Sequence, residues 1–134
     1  MKTIFYIVLF TLLFLLYSCE KVSEDAVELS VDFTWEGFRP CDWGNPEIRM
    51  NGIPEKTKYI EMHMYDHVYQ YDHGKVKVPY TGENTIPKGR YQDIQGPCPP
   101  YDPGEYEITI KAFDENGTVI GIGSKKRFFP EKRP

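Results

Sequence analysis

The chain has 134 residues, with 20 acidic side chains against 16 basic ones and a net charge of −4. This length fits one domain. The acidic balance lacks the basic footprint on which nucleic-acid binders depend, so no nucleic-acid partner is expected.

Met1-Lys2-Thr3 leads into Ile4 to Tyr17, fourteen residues that are apolar or aromatic except Thr11, and then Ser18-Cys19. Fourteen are too few to span a bilayer, which takes roughly 20. One lysine, a short apolar core and a small residue before a cleavage point predict an export signal over residues 1–18. Its removal leaves 116 residues, with 15 Lys and Arg against 20 Asp and Glu because Lys2 is lost. No second apolar segment remains, so the processed chain is not expected to span a membrane.

Leu16-Tyr17-Ser18-Cys19 resembles the lipobox of bacterial lipoproteins. In that family the peptidase cuts before the cysteine, whose thiol carries a diacylglycerol; Tyr17 is bulkier than usual at its position. The resemblance implies lipidation of Cys19 and attachment to a membrane of the bacterial cell envelope. An outer-membrane site, on the periplasmic or the surface face, is expected. The alternative is an ordinary signal peptide that happens to precede a cysteine. Glu20 to Asp25 is polar and reads as a tether, so residues 19–26 are assigned to the lipidated cysteine and its linker. The acidic residues also resemble a surface-export signal, although a plain solvated linker accounts for them.

Residues 27–134 read as a small all-β domain. Gly and Pro make 22 residues of the processed chain and fall between short apolar runs, a punctuation that breaks helices and makes turns. Val27 to Trp35 alternates with period two, placing Val27, Leu29, Val31, Phe33 and Trp35 on one face. Lys58 to Asp66 sets Ile60, Met62 and Met64 against Tyr59, Glu61, His63 and Tyr65. Lys75 to Val78 reads as a strand with its lysines outward. Glu105 to Phe113 puts Tyr106, Ile108, Ile110 and Ala112 on one face, and Asn116-Gly117 marks a hairpin turn that accepts positive φ. Val119 to Ser124 returns from it, and Arg127 to Phe129 reads as a last edge segment. About six short strands separated by turns predict an antiparallel β-sandwich or barrel with Pro-rich connecting loops.

Cys41 and Cys98 are candidates for a disulfide in an oxidising compartment. Such a bond would close a loop of about 57 residues and contribute ~4 kcal/mol on a chain-entropy basis. Two buried, separate thiols are the alternative.

All three histidines fall within His63 to His73, together with Asp66 and Asp72. A metal site, and with it a metal-dependent enzyme, would draw on His63, His67, Asp66 or His73, since imidazole and carboxylate suit zinc. The four-residue spacing of His63 and His67 suits a helix, however, and this segment reads as strand then loop. No Ser or Cys stands in a recognisable nucleophile turn, so no catalysis is expected. A small-ligand pocket lined by Asp66 and His73 competes with a simpler reading as polar residues around a loop. Gly96-Pro97-Cys98-Pro99-Pro100 cannot be regular strand or helix and forms a rigid wall that admits a cis bond.

Several of these segments together resemble the phosphatidylethanolamine-binding protein family. Asn45 to Arg49 with Gly52 to Lys58 is similar to its S-P-E-hydrophobic and G-V-P-x-G-T-K stretches. Met64-Tyr65-Asp66 matches the strand that ends in its site Asp, and Asp72-His73-Gly74 its site His. Ile86 to Gly89 resembles its I-P-x-G turn. Tyr91 with Gly96 to Pro100 resembles its Y-x-G-P-C-P-P segment with a longer spacer. Tyr106 to Asp114 matches the following strand, and Phe129-Pro130 the closing F-P. The resemblance runs in order from about Val27 to Pro130. It implies a β-sandwich with a pocket for phosphate-like or other anionic head groups. By position, Asp66 and His73 line it, Gly96 and Pro97 form the loop wall, and Tyr106 sits at the rim. Two departures stand out: Gly104 occupies the place of a second site His, and the D-x-D-x-P after the site strand is absent. His67 is a candidate substitute donor.

The expected protein is therefore a non-catalytic binding module anchored through lipid, with no cofactor and no structural metal. A protein-interaction or inhibitor role on the same fold is the alternative, with a protein partner in place of the small anionic ligand.

Overall fold

The structure is a computed structural model that describes residues 19–131. The export signal predicted over residues 1–18 lies outside them. Among the described residues there are eight strands and no helix: β1 (Val22–Glu28), β2 (Ser30–Thr34), β3 (Glu47–Asn51), β4 (Tyr59–Asp66), β5 (Tyr71–Pro79), β6 (Thr85–Ile86), β7 (Gly104–Phe113) and β8 (Val119–Phe129).

They form a five-stranded sheet in the order β1-β8-β7-β4-β5 and a three-stranded sheet in the order β2-β3-β6. Every ladder is antiparallel except β1 with β8, which is parallel and departs from the all-antiparallel expectation. The two sheets share one core. β4 contributes Ile60, Met62 and Met64, β7 contributes Tyr106, Ile108, Ile110 and Ala112, and the smaller sheet supplies Val31, Phe33, Ile48, Met50 and Ile86. Period-two alternation puts these side chains inward and their neighbours outward.

Three local readings are corrected. The polar run after Cys19 is not all tether: β1 begins at Val22, because its backbone pairs with β8 and its surroundings supply charge partners. Val119 N donates to Lys21 O (2.8 Å), and Lys111 Nζ lies 2.6 Å from Glu20. The predicted strand over Val27 to Trp35 is two strands broken at Leu29, whose N–H bonds Ile122 O as the chain leaves one sheet for the other. Leu29, Val31, Phe33 and Trp35 are buried as expected, while Val27 is exposed. Arg127 to Phe129 is no separate edge piece but the end of β8, paired with Glu105 and neighbours on β7.

The turn at residues 114–118 also differs in detail. Gly117 has positive φ and Asn116 does not. Asp114 Oδ1 accepts from the N–H groups of Asn116 and Thr118, and the register of β7 shifts by one at its end. The carboxylate thus organises the turn that the Asn-Gly pair was expected to make alone. Asn45 does a similar job elsewhere. It is fully buried, donates to the Pro46 and Pro87 carbonyls and accepts from Tyr91 N, so it ties β3 to the segment after β6.

Candidate functional site

Asp66 is the last residue of β4 and pairs in register with Tyr106 on β7. Its side chain continues the inward series of Ile60, Met62 and Met64, which is why a carboxylate comes to be 2% exposed. Asp66 Oδ1 accepts from Val68 N (2.8 Å) and Tyr69 N (3.2 Å), closing a side-chain turn that fixes both the carboxylate and the start of the β4–β5 loop.

His73 arrives by a different device. On β5, Gly74 pairs with Met64 and Asp72 with Tyr65, so His73 is the extra residue of a bulge. Bulges re-aim side chains, and this one turns the imidazole into the interior, where it is 5% exposed. Its Nδ1 donates to Gln95 O at 2.9 Å, so the neutral ring carries its proton there. Burial holds the His73 pKa below the ordinary 6.5. Backbone hydrogen bonds to Gln95 and Gly96 and the charges of Asp66 and Asp72 oppose that shift without cancelling it.

Tyr106 is fully buried between His73 and Trp35, edge-on to both at centroid distances of 5.2 and 5.4 Å. Its hydroxyl lies beside the Asp66 carboxylate and the Cys98 backbone without a well-formed hydrogen bond to either. Burial first, and then the Asp66 charge, push that hydroxyl well above the usual phenol range. Trp35 Nε1, Thr57 Oγ1 and Arg127 Nε are also buried without partners, but Tyr106 is the one of the four residues that lines the cavity described next.

Asp66, His73 and Tyr106 converge on a cavity of about 330 Å³. Its other walls are Tyr69, Tyr71, Gln95, Cys98 and Pro100. The Tyr69 hydroxyl donates to Asp102 O and accepts from Asp102 N, and the Tyr71 hydroxyl donates to Gln95 Oε1. No lysine or arginine is among the lining residues.

Gly96 and Pro97 lie behind this wall rather than in the cavity lining. A side chain at Gly96 would meet Asp42 O at 2.0 Å, because the loop of residues 38–42 packs against it. Cys41 N donates to Pro97 O (2.8 Å), and Cys41 is disulfide-bonded to Cys98 across Cα atoms 4.4 Å apart. The wall is therefore fastened from outside, and Cys98 with Pro100 faces the cavity. Its peptide bonds are trans; the cis bond among the described residues is Phe129–Pro130.

Gly104, the position of the missing second histidine, has no room for one. A Cβ there would stand 2.5 Å from Asp66 Oδ2 and 2.6 Å from the Tyr106 ring. His67 does not substitute for it. It lies outside the cavity, 2.6 Å from Glu107 Oε2. His63 pairs with Asp72 at 3.0 Å on the same outer face. The metal alternative on His63, His67 and Asp66 finds no support: two of the groups pair with carboxylates on the outer face and the third is buried on the inner one. Among the described residues no three metal-ligating side chains converge.

Of the residues singled out in the sequence, Asp66, His73 and Tyr106 line the cavity; Tyr69, Tyr71 and Gln95 line it too and were not singled out. Tyr69, Tyr71 and His73 are spaced by two residues, which was the available signal.

Comparison with known proteins bears on the fold. No protein-family model matches the chain, and no curated protein matches it in sequence. A solved homologue of phosphatidylethanolamine-binding protein from Chlamydia trachomatis, CT736, superimposes with a TM-score of 0.53 at 15% identity. That match covers 82% of this chain and all of the other. YbcL of E. coli, described as a member of the mammalian family of that name, gives 0.51 at 19% identity, covering 85% and 92%. The chain has a phosphatidylethanolamine-binding-protein-like fold.

Proposed function

We propose that the chain is a non-catalytic, small-ligand binding module whose site is the cavity of Asp66, His73 and Tyr106. The observation that carries this reading is the convergence of three buried polar side chains, Asp66, His73 and Tyr106, on one cavity, the Tyr106 hydroxyl lacking a well-formed hydrogen bond. A buried hydroxyl without one costs about 1–3 kcal/mol. A ligand that bonds it recovers that cost. We read the two sheets as facing layers of a β-sandwich, because they share one core. The lipobox resemblance and the exposed, free Cys19 support a lipid anchor in the bacterial envelope.

A phosphate-like anion, the occupant implied by the family resemblance, needs a charged His73. The groups around that ring are Asp66 on β4, Asp72 on β5 and the Gln95 and Gly96 backbone, and burial outweighs them. Anion binding therefore requires proton uptake and should tighten as pH falls below the ordinary imidazole value of 6.5. The test is an NMR titration of the full chain in a neutral detergent with sodium phosphate and with phosphoethanolamine. Shifts are expected at Asp66, His73, Gly96 and Tyr106 and not at His63 or His67. A folded protein with no shift at the cavity for either probe would defeat the reading.

One observation favours a protein-interaction role as a second reading. Trp43 and Tyr101 are 60% and 92% exposed, Trp43 bridged to Gln95 and Tyr101 next to Pro100, so both flank the cavity wall. A partner crosslinked in the envelope fraction and retained by His73→Ala would support it. Loss of that partner on altering the cavity would favour ligand binding.

A further inference from the structure

The two ends of the Cys41–Cys98 bond differ in access. Cys41 is exposed on the loop of residues 38–44, whereas Cys98 is half-buried in the cavity lining. Cys41 also has a φ of 66°, a left-handed conformation that a cysteine keeps only where its surroundings enforce it. The enforcing contacts are its N–H bond to Pro97 O and its sulfur bond to Cys98.

One wall residue joins this loop to the interior. Gln95 is bridged to Trp43 on the loop side. On the inner side its N–H donates to His73 O, its carbonyl accepts from His73 Nδ1, and its side-chain oxygen accepts from the Tyr71 hydroxyl, each at 2.9 Å. A displacement of the loop therefore reaches Tyr71 and His73 through Gln95. The ladders joining β4, β7 and β8 do not include the loop, so they keep their register when it moves.

We propose that Cys41 is a thiol-exchange site, at which reduction by a protein dithiol frees the loop of residues 38–44 and loosens the Gln95 side of the cavity. A thiolate of the dithiol attacks the exposed Cys41 Sγ. The new sulfur–sulfur bond forms as the Cys41–Cys98 bond breaks, and Cys98 departs as a thiolate that takes up a proton. The second thiol of the partner gives up its proton and attacks the mixed bond, releasing Cys41, which is protonated in turn. Two electrons pass to the bridge, and the partner is left as a disulfide. The consequence for a ligand rests on the reading of the cavity as the binding site; the exchange itself does not.

The test treats the full chain, in a neutral sugar detergent at neutral pH, with reduced dithiothreitol. New thiols are trapped with iodoacetamide, and the fold is followed by NMR. The folded chain should be reduced within about tenfold of the rate of the urea-unfolded chain, because the attacked sulfur is accessible. Signals of Trp43, Gln95, Tyr71 and His73 should move, while those of Glu61, Lys111 and Ile122 stay. Cys41→Ser with Cys98→Ser should show the moved positions before any reductant and no change on adding it. A folded chain that resists the reagent overturns the proposal. So does a reduced chain whose Tyr71 and His73 signals are unmoved, or one that unfolds throughout, since the bond is then a plain staple. Sodium phosphate titrated into both forms below pH 6.5 separates the two readings. Weaker binding by the reduced chain supports control of the ligand by the bond, and equal binding by both forms overturns that control. Moved signals with no phosphate response in either form leave the exchange site standing and remove the anion from the cavity.

Discussion

On the outer face of the β4–β5 hairpin, His63 and His67 each sit against a carboxylate, Asp72 at 3.0 Å and Glu107 at 2.6 Å, with solvent close by. On the inner face, His73 and Asp66 share a cavity with three tyrosine rings and no lysine or arginine in its lining. The residue types are the same, and apart from Glu107 the histidines and carboxylates compared lie within eleven positions of one another. The outer groups are satisfied by each other and have little left to offer a ligand. The inner ones are held mainly by backbone groups and have no ion-pair partner among the described side chains. Burial and unmet pairing, more than residue type, separate a site from a surface.

Five measurements bear on this contrast, in descending order of effect. The inner face depends on a wall fastened from outside, so Cys41→Ser with Cys98→Ser should cost roughly 4 kcal/mol in denaturant unfolding. An unchanged midpoint would show that the wall stands without its bond. Gly104→Ala drives a methyl group into Asp66 and the Tyr106 ring. It should cost about 1–3 kcal/mol and remove cavity shifts in any titration; full stability would mean that the inner face gives way more easily than its geometry allows. Tyr106→Phe deletes a buried hydroxyl that lacks a well-formed hydrogen bond and should change stability by no more than about 1 kcal/mol while weakening ligand binding. A clear loss of stability would reveal a partner for that hydroxyl.

The fourth measurement is a pH series. His73 has its pKa lowered on folding, so the unfolded chain binds more protons between that lowered value and 6.5. Its contribution is fully present above 6.5 and is lost as pH falls through the lowered value. His73→Gln should flatten the stability curve in that window. The depressed carboxylates Asp32, Asp72 and Glu107 act at lower pH, below their ordinary 3.8 to 4.5. The smallest effect belongs to the outer face: Glu107→Gln breaks the His67 pair and should cost under ~1 kcal/mol. A larger loss would mean that the outer imidazoles carry structure after all.

β4 and β7 were legible because alternation is strong when one face is fully buried, as with Ile60, Met62 and Met64 or Tyr106 to Ala112. β3 and β6 were not read as strands. β3 offers two apolar residues, Ile48 and Met50, between Pro46 and Gly52, and β6 is two residues long. β1 escaped because Val-Ser-Glu-Asp-Ala-Val-Glu carries no apolar face, and its order comes from backbone pairing that composition does not encode. The motif resemblance picked out Asp66, His73 and Tyr106, which line the candidate cavity. The bulge that turns His73 inward and the hydroxyl bonds that turn Tyr69 and Tyr71 into wall depend on long-range partners, Gln95 and Asp102, with no local signature.

Cys19 stands three residues ahead of β1, and β1 runs alongside only the first residues of β8. The amino-terminal end is thus moored where β7 finishes and β8 begins. Asp66, His73 and Tyr106 gather where β7 starts, seven residues back along that strand from Phe113, or roughly 23 Å at strand rise. For a chain held to a bilayer through Cys19, this sets a stand-off distance. Under the proposed anchor at Cys19, the cavity would stand toward the opposite end of β7 from the point of attachment.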